Sequence, residues 1–212
     1  MTSDEVVDEP EPFREARERD DRDEMRRLLA EMDKGQQRRQ LFNGAKHEFI
    51  NVLEVFSETG MMSLDERWPS GETTPLMHAI MNGRKEAARF LVEHECSLGA
   101  KNGTGYTPLH IAASSGKDRE TVFLLALAGA DFETLNKENQ TPLDVAGDKL
   151  RPEMRGWLME AFRAQQEDIH ARKKAAHEEF IESEAAVAHT GVVAKPMRTL
   201  RFKSPQNSFT FA

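Results

Sequence analysis

Cys96 and seven histidines, spread over residues 47–189, are the side chains through which this sequence could do nucleophilic, acid–base or metal chemistry. Zinc needs three or four converging ligands, and neither an HExxH helix nor a Cys/His ligand set occurs. His170 and His177 are seven residues apart on one helix face, too far for one ion. Cys96 reads as a small buried apolar residue rather than a reactive thiol. A single cysteine cannot form an internal disulfide, which fits a reducing compartment. A G-x-S-x-G elbow, a Walker loop and a dinucleotide glycine fingerprint are all missing, and the glycine-rich NGTGY (102–106) reads as a turn rather than a phosphate cradle. With no nucleophile–base pair, the chain is expected to be no enzyme, to need no cofactor or metal, and to take no small-molecule substrate.

Charge narrows the choice of partner. The formal net charge is −8, but residues 1–24 hold eleven acids and four arginines, a net of −7, while residues 195–212 hold Lys195, Arg198, Arg201 and Lys203 and no acid. The body between them is weakly acidic and has no basic stripe to follow phosphates, which argues against nucleic acid. No apolar run reaches bilayer-spanning length, so membrane insertion is not expected. The acidic opening MTSDEVVDEPEP has neither a signal-peptide nor a transit-peptide pattern, and a cytoplasmic location is expected, with cytoskeletal or ciliary association open.

The elements that position these residues repeat. TPLMHAIMNG (Thr74–Gly83), TPLHIAASSG (Thr107–Gly116) and TPLDVAGDKL (Thr141–Leu150) begin 33 and 34 residues apart. Each proline can start a helix, each threonine can cap it, and Gly83 and Gly116 can stop the first two after about two turns. A second apolar run follows each glycine. Helices this short are marginal alone, so each pair must bury its apolar face on the next pair, giving a one-dimensional stack. Leu76, Leu109 and Leu143 are then expected at its core.

A T-P-L-H-x-A core at a period of 33–34 residues resembles the ankyrin-repeat family. The resemblance implies an all-α solenoid of about four helix-pair units with short β-turn fingers, a helical N-terminal cap and a long C-terminal helix. The expected layout is an acidic disordered tail (1–12), one cap helix (13–34), repeats over 35–163 (35–73 degenerate, then 74–106, 107–140 and 141–163), an extended helix (164–190) and a basic-aromatic tail (191–212). In the degenerate unit Gly44 takes the place of the stop glycines, Gly35 falls where threonine would be, and Phe49, Ile50, Leu53 and Phe56 form the second helix's core face. That phase makes its connection to Thr74 about six residues longer than the others, and the extra length carries Trp68. Glu95–Cys96 replaces the family's Gly-Ala, which puts a non-glycine residue in a left-handed conformation. The family's TPLH histidine bonds the neighbouring turn backbone, a structural role. Along the C-terminal helix the four-three positions are too polar for a firm coiled-coil seam.

Function then rests on surfaces. Carried over from the family, the fingertips are Ser70, Gly71 and Thr73; Gly103, Thr104 and Tyr106; and Lys137, Glu138 and Gln140. The groove-facing helix positions are Met81 and Asn82, Ser114 and Ser115, and Asp148 and Lys149. Trp68 and Tyr106 are candidate aromatic anchors, of the kind that protein contact surfaces use. In the tail, Arg201, Phe202, Phe209 and Phe211 suggest a linear docking motif, and Ser204, before Pro205, a proline-directed phosphorylation site. The expected function is a non-catalytic adaptor that binds a protein partner through its concave groove and terminal extensions. The alternative is a built-in subunit of a large cytoskeletal, ciliary or ribonucleoprotein assembly, anchored by the long helix and tails.

Overall fold

The computed structural model describes residues 9–115, 118–146 and 152–190. The tail residues Arg201, Phe202, Ser204, Phe209 and Phe211, the helix positions Asp148 and Lys149, and the stop glycine Gly116 lie outside the described residues. The chain divides into two compact units, Met1–Phe162 and Arg163–Ala212.

In the first unit the described residues form helices joined by turns, without strands. The helices are α1 (Glu11–Glu18), α2 (Arg22–Glu31), α3 (Lys34–His47), α4 (Ile50–Thr59), α5 (Pro75–Asn82), α6 (Lys85–Glu93), α7 (Pro108–Ser115), α8 (Arg119–Leu127), α9 (Pro142–Ala146) and the first turns of α10 (Pro152–Thr190). The odd-numbered helices α3, α5, α7 and α9 pack in one row, and α2, α4, α6 and α8 in a second row behind them. The start signals act as their chemistry demands. Thr74 caps α5 by accepting from the Met77 N–H, Pro75 fills the first helical position, and Gly83 ends the helix at φ 68°. Asp118 caps α8 by accepting from the N–H groups of Glu120 and Thr121.

The core runs along the seam between the rows. Leu76 and Leu109 are 1% and 0% exposed. Phe56, Leu91 and Leu125 hold the matching place on the second-row helices, all fully buried. Leu143 departs from expectation and is only half-buried; among the described residues the five-residue α9 packs chiefly on α7. In α10, Met154, Leu158 and Ala161 are buried, and the Phe162 ring meets Phe132 at 5.3 Å.

Two further sequence expectations need correction. Gly44 does not stop α3: it is buried inside the helix, which runs on to His47 and ends with Glu48 at φ 65°. A Cβ at Gly44 would come within 3.1 Å of Leu53 Cδ2, so the glycine is there for close packing of α4. Asp33, not Gly35, caps α3, through a capping box with Gln36. With Glu48 as the counterpart of Gly83, and Gly60 (φ 61°) as that of Glu95 (φ 57°), both steps are 35 residues. The connection therefore exceeds the 33-residue period by two residues rather than six. The second correction is at the N-terminus, where one cap helix from Phe13 is expected. The chain instead turns at Asp20 (φ 54°) and makes two helices, α1 and α2, with Phe13, Ala16, Met25 and Leu29 fully buried. A turn at Asp20 lets both apolar stripes face inward, which one straight helix of this sequence could not do.

The second unit holds the remaining turns of α10. Its described side chains are mostly exposed, and pairs form along the helix between Arg172 Nε and Asp168 Oδ2 at 2.8 Å and between Lys174 and Glu178 at 3.9 Å.

Candidate functional site

The fingers form at the turns that precede α5, α7 and α9. The second closes with the Asn102 N–H donating to the Tyr106 carbonyl at 3.0 Å, and the third with Asn136 N–H donating to Gln140 at 3.0 Å. In each, the asparagine side chain builds the turn. Asn102 Oδ1 accepts from the N–H groups of Thr104 (3.0 Å) and Tyr106 (2.9 Å), and Asn136 Oδ1 from those of Glu138 and Gln140, both at 2.9 Å. In the first finger Trp68 stands in that place: its N–H donates to the Thr73 carbonyl at 2.8 Å. One extra residue enters there, and Glu72 adopts φ 54° to close the turn.

The fingers also join one another. Gly103 N–H donates to the Gly71 carbonyl at 2.8 Å, and Lys137 N–H to Thr104 at 3.2 Å. Gly105, at φ +82°, lies so close to the third finger that a Cβ would sit 2.7 Å from Lys137 N. Cations reinforce the same edge: Arg67 donates to the Lys101 carbonyl, Lys101 to that of Leu135 (both 2.8 Å), and Lys137 to that of Gly103 at 2.6 Å. Arg67 and Lys101 are absent from the sequence-derived site. Their 34-residue spacing was the signal that could have found them.

The expected site residues separate by what they touch. Ser70, Thr104, Lys137, Met81 and Ser114 are exposed. Met81, at the end of α5, keeps 46% of its surface open, one of four large apolar side chains so exposed among the described residues of this unit, with Leu127, Leu135 and Met159. Ser114 donates to the Ile111 carbonyl and Ser115 to that of Ala112, at 3.0 and 3.2 Å. Thr73, Asn82, Tyr106 and Gln140 are half-buried in the framework: Thr73 Oγ1 lies 2.9 Å from His78 Nε2, and Asn82 donates to the His78 carbonyl at 2.8 Å. Trp68 is also half-buried, its ring 5.0 Å from that of Phe42 and 6.4 Å from that of His78. The Tyr106 ring lies 5.4 Å from that of His110.

His110 spans two repeats. Its Nδ1 lies 2.8 Å from Thr107 Oγ1, and its Nε2 lies 3.0 Å from the carbonyl oxygen of Gln140 in the next finger. Burial lowers its pKa, since a charged imidazole would lose its water. Burial likewise pushes His78 down to about 4, helped by the positive charge of Lys46. At the last repeat, Asp144 replaces the histidine and accepts from the Thr141 N–H and hydroxyl, at 2.8 and 2.7 Å. Cys96 is buried under the Leu64 carbonyl, and burial pushes its thiol up to about 12, so it stays protonated. Among the described residues no three metal-binding side chains converge, and no helix is long and apolar enough to cross a membrane.

A family model described as ankyrin repeats matches residues 20–136. The chain is similar to protein phosphatase 1 regulatory subunit 27 of Mus musculus, 34% identical over 90 residues, which is 42% of this chain and 57% of that protein. It is also similar to protein phosphatase 1 regulatory subunit 12A of Rattus norvegicus, 31% identical over 139 residues, 66% of this chain but 12% of that protein. A third relative is a Caenorhabditis elegans homolog of transient receptor potential cation channel subfamily A member 1, 31% identical over 127 residues, 59% of this chain and 10% of that protein. The matches thus span only part of each relative.

Proposed function

This chain belongs to the ankyrin-repeat family, and from that premise we propose that it is a non-catalytic adaptor binding a protein partner through the finger edge and the adjoining ends of α5 and α7. The observation that carries this reading is the exposed set Ser70, Thr104, Lys137, Met81 and Ser114 on an otherwise interlocked framework. Rigid fingers present these groups with little loss of conformational freedom on binding, which favours affinity. Met81 supplies an adaptable apolar contact, and the serines and threonine supply hydrogen bonds. Trp68 and Tyr106 remain in the proposed surface as partly open rings that also brace the fingers. Two relatives are named as regulatory subunits of protein phosphatase 1, so the catalytic subunit of that phosphatase is the first partner to try.

A second reading, a built-in subunit of a large assembly, is favoured by α10, a helix of 39 residues. It makes the second unit, with the basic-aromatic tail, the attachment. Affinity capture with lysine crosslinking on the full chain separates the two. The groove reading expects crosslinks from Lys101 and Lys137 to the partner, and at least a tenfold loss of affinity in Met81→Asp without a change in melting. Crosslinks confined to residues 163–212, with Met81→Asp binding normally, would sink it.

A further inference from the structure

The three fingers carry three different chemistries at one position. Two residues beyond Trp68, Asn102 and Asn136, which open the fingers, stand Ser70, Thr104 and Glu138. The inter-finger bonds set these positions one after another along a single edge. Thr104 commits its hydroxyl to its own finger, donating to Asn102 Oδ1 at 2.8 Å. Glu138 keeps a carboxylate exposed at the same place in the third finger, so the edge accommodates an anion there. Ser70 is exposed on the turn, and among the described residues no group engages its hydroxyl. Arg67 lies three residues ahead of it with half of its side chain open to solvent; it donates to the Lys101 carbonyl at 2.8 Å and lies 3.9 Å from the Glu72 carboxylate, a long surface pair that a kinase carboxylate can replace. The acids just before Arg67 are already occupied: Glu66 pairs with Arg38 at 2.7 Å, and Asp65 accepts from the Ser97 N–H at 2.8 Å.

We propose that Ser70 is a phosphoacceptor for an arginine-directed serine kinase. Ser70 Oγ attacks the γ-phosphorus of ATP, the Oγ–P bond forms as the bond to the departing ADP breaks, and the hydroxyl proton passes to the kinase's base. Arg67 is the residue such a kinase reads through its own carboxylates. Once formed, the phosphate brings about −1.5 to −2 charges to the first finger. It gives that finger the sign Glu138 gives the third, and it offers Arg67 a charge-assisted acceptor in place of the Lys101 carbonyl. The first finger then presents a phosphate anion to a partner, while Lys101 and Lys137 keep the rest of the edge mixed. The phosphoacceptor assignment does not depend on what the groove binds.

The test is to incubate the full chain with ATP and calcium/calmodulin-dependent protein kinase II, which selects arginine three residues before the acceptor. Tandem mass spectrometry then maps the tryptic peptide Trp68–Arg84, or His47–Arg84 in Arg67→Gln, which removes the cleavage site after residue 67. The expected result is one phosphate on Ser70, none on that peptide in Ser70→Ala, at least a tenfold lower rate in Arg67→Gln, and substantial recovery in Arg67→Lys. Two results overturn the assignment: an unmodified peptide while a control substrate is phosphorylated, or a phosphate on this peptide that persists in Ser70→Ala. Circular dichroism of each variant, expected to match the parent, separates loss of recognition from loss of fold.

Discussion

The carboxylate of Glu48 accepts a hydrogen bond from the backbone N–H of Glu86, 2.8 Å away in the next repeat. Arg84, at the N-cap of α6, offers no side-chain cap of its own, so Glu48 closes that helix end from outside. Arg84 returns the contact by donating through Nε to the Lys46 carbonyl at 2.9 Å. The turn that ends one unit's first helix thereby starts the next unit's second helix.

Glu48→Ala should lose about 0.5–2 kcal/mol, the range for removing an N-cap acceptor. Glu48→Gln, which keeps an oxygen in reach, should lose less. Urea unfolding of the pair reads the difference, and no loss in Glu48→Ala would mean that the cap contributes nothing.

Leu109→Ala should cost about 2–5 kcal/mol, as a fully buried leucine flanked by repeats on both sides. The half-buried Leu143 should cost clearly less when truncated. A larger loss at Leu143 would contradict the core described here.

How much of this could be read from the chain varies with the local signal. Thr74, Pro75 and Gly83 each state a start or a stop, and the helix obeys them. The degenerate unit misleads because its glycine, Gly44, serves packing against Leu53, while the left-handed turn falls on Glu48, a residue that does not announce it. At the finger edge the 34-residue period locates the tips, but not their partners. Trp68 in the place of an asparagine, resting on Phe42 and His78, depends on contacts between repeats that no short stretch of sequence encodes.

Glu95→Gly should stabilise the protein by about 0.5–1 kcal/mol, since Glu95 is exposed and held at φ 57°, where glycine is unstrained. A rise in melting temperature checks it, and a fall would mean that the glutamate makes a compensating contact.

Stability should fall on acidification through the window set by His78. Its folded pKa, about 4, lies below the ordinary 6.5. Between those values the unfolded chain binds a proton that the native one refuses, so the contribution is complete above about 6.5 and lost progressively toward 4. The slope from this one group approaches at most about 1.4 kcal/mol per pH unit. His110, lowered in the same direction, adds to it. In His78→Gln, the drop in urea midpoint between pH 7 and pH 5 should shrink relative to the parent; an unchanged drop would place the acid sensitivity elsewhere.

Cys96 has one more consequence, and it is practical. The chain's sole sulfhydryl is buried, and burial pushes its pKa up to about 12, so thiol-directed dyes such as maleimides at neutral pH should leave the folded protein unmarked. A cysteine introduced at an exposed fingertip such as Thr104 would then be the single addressable handle, with no need to delete the native one. A fluorophore placed there would watch the edge directly, in a background silent to thiol-directed reagents.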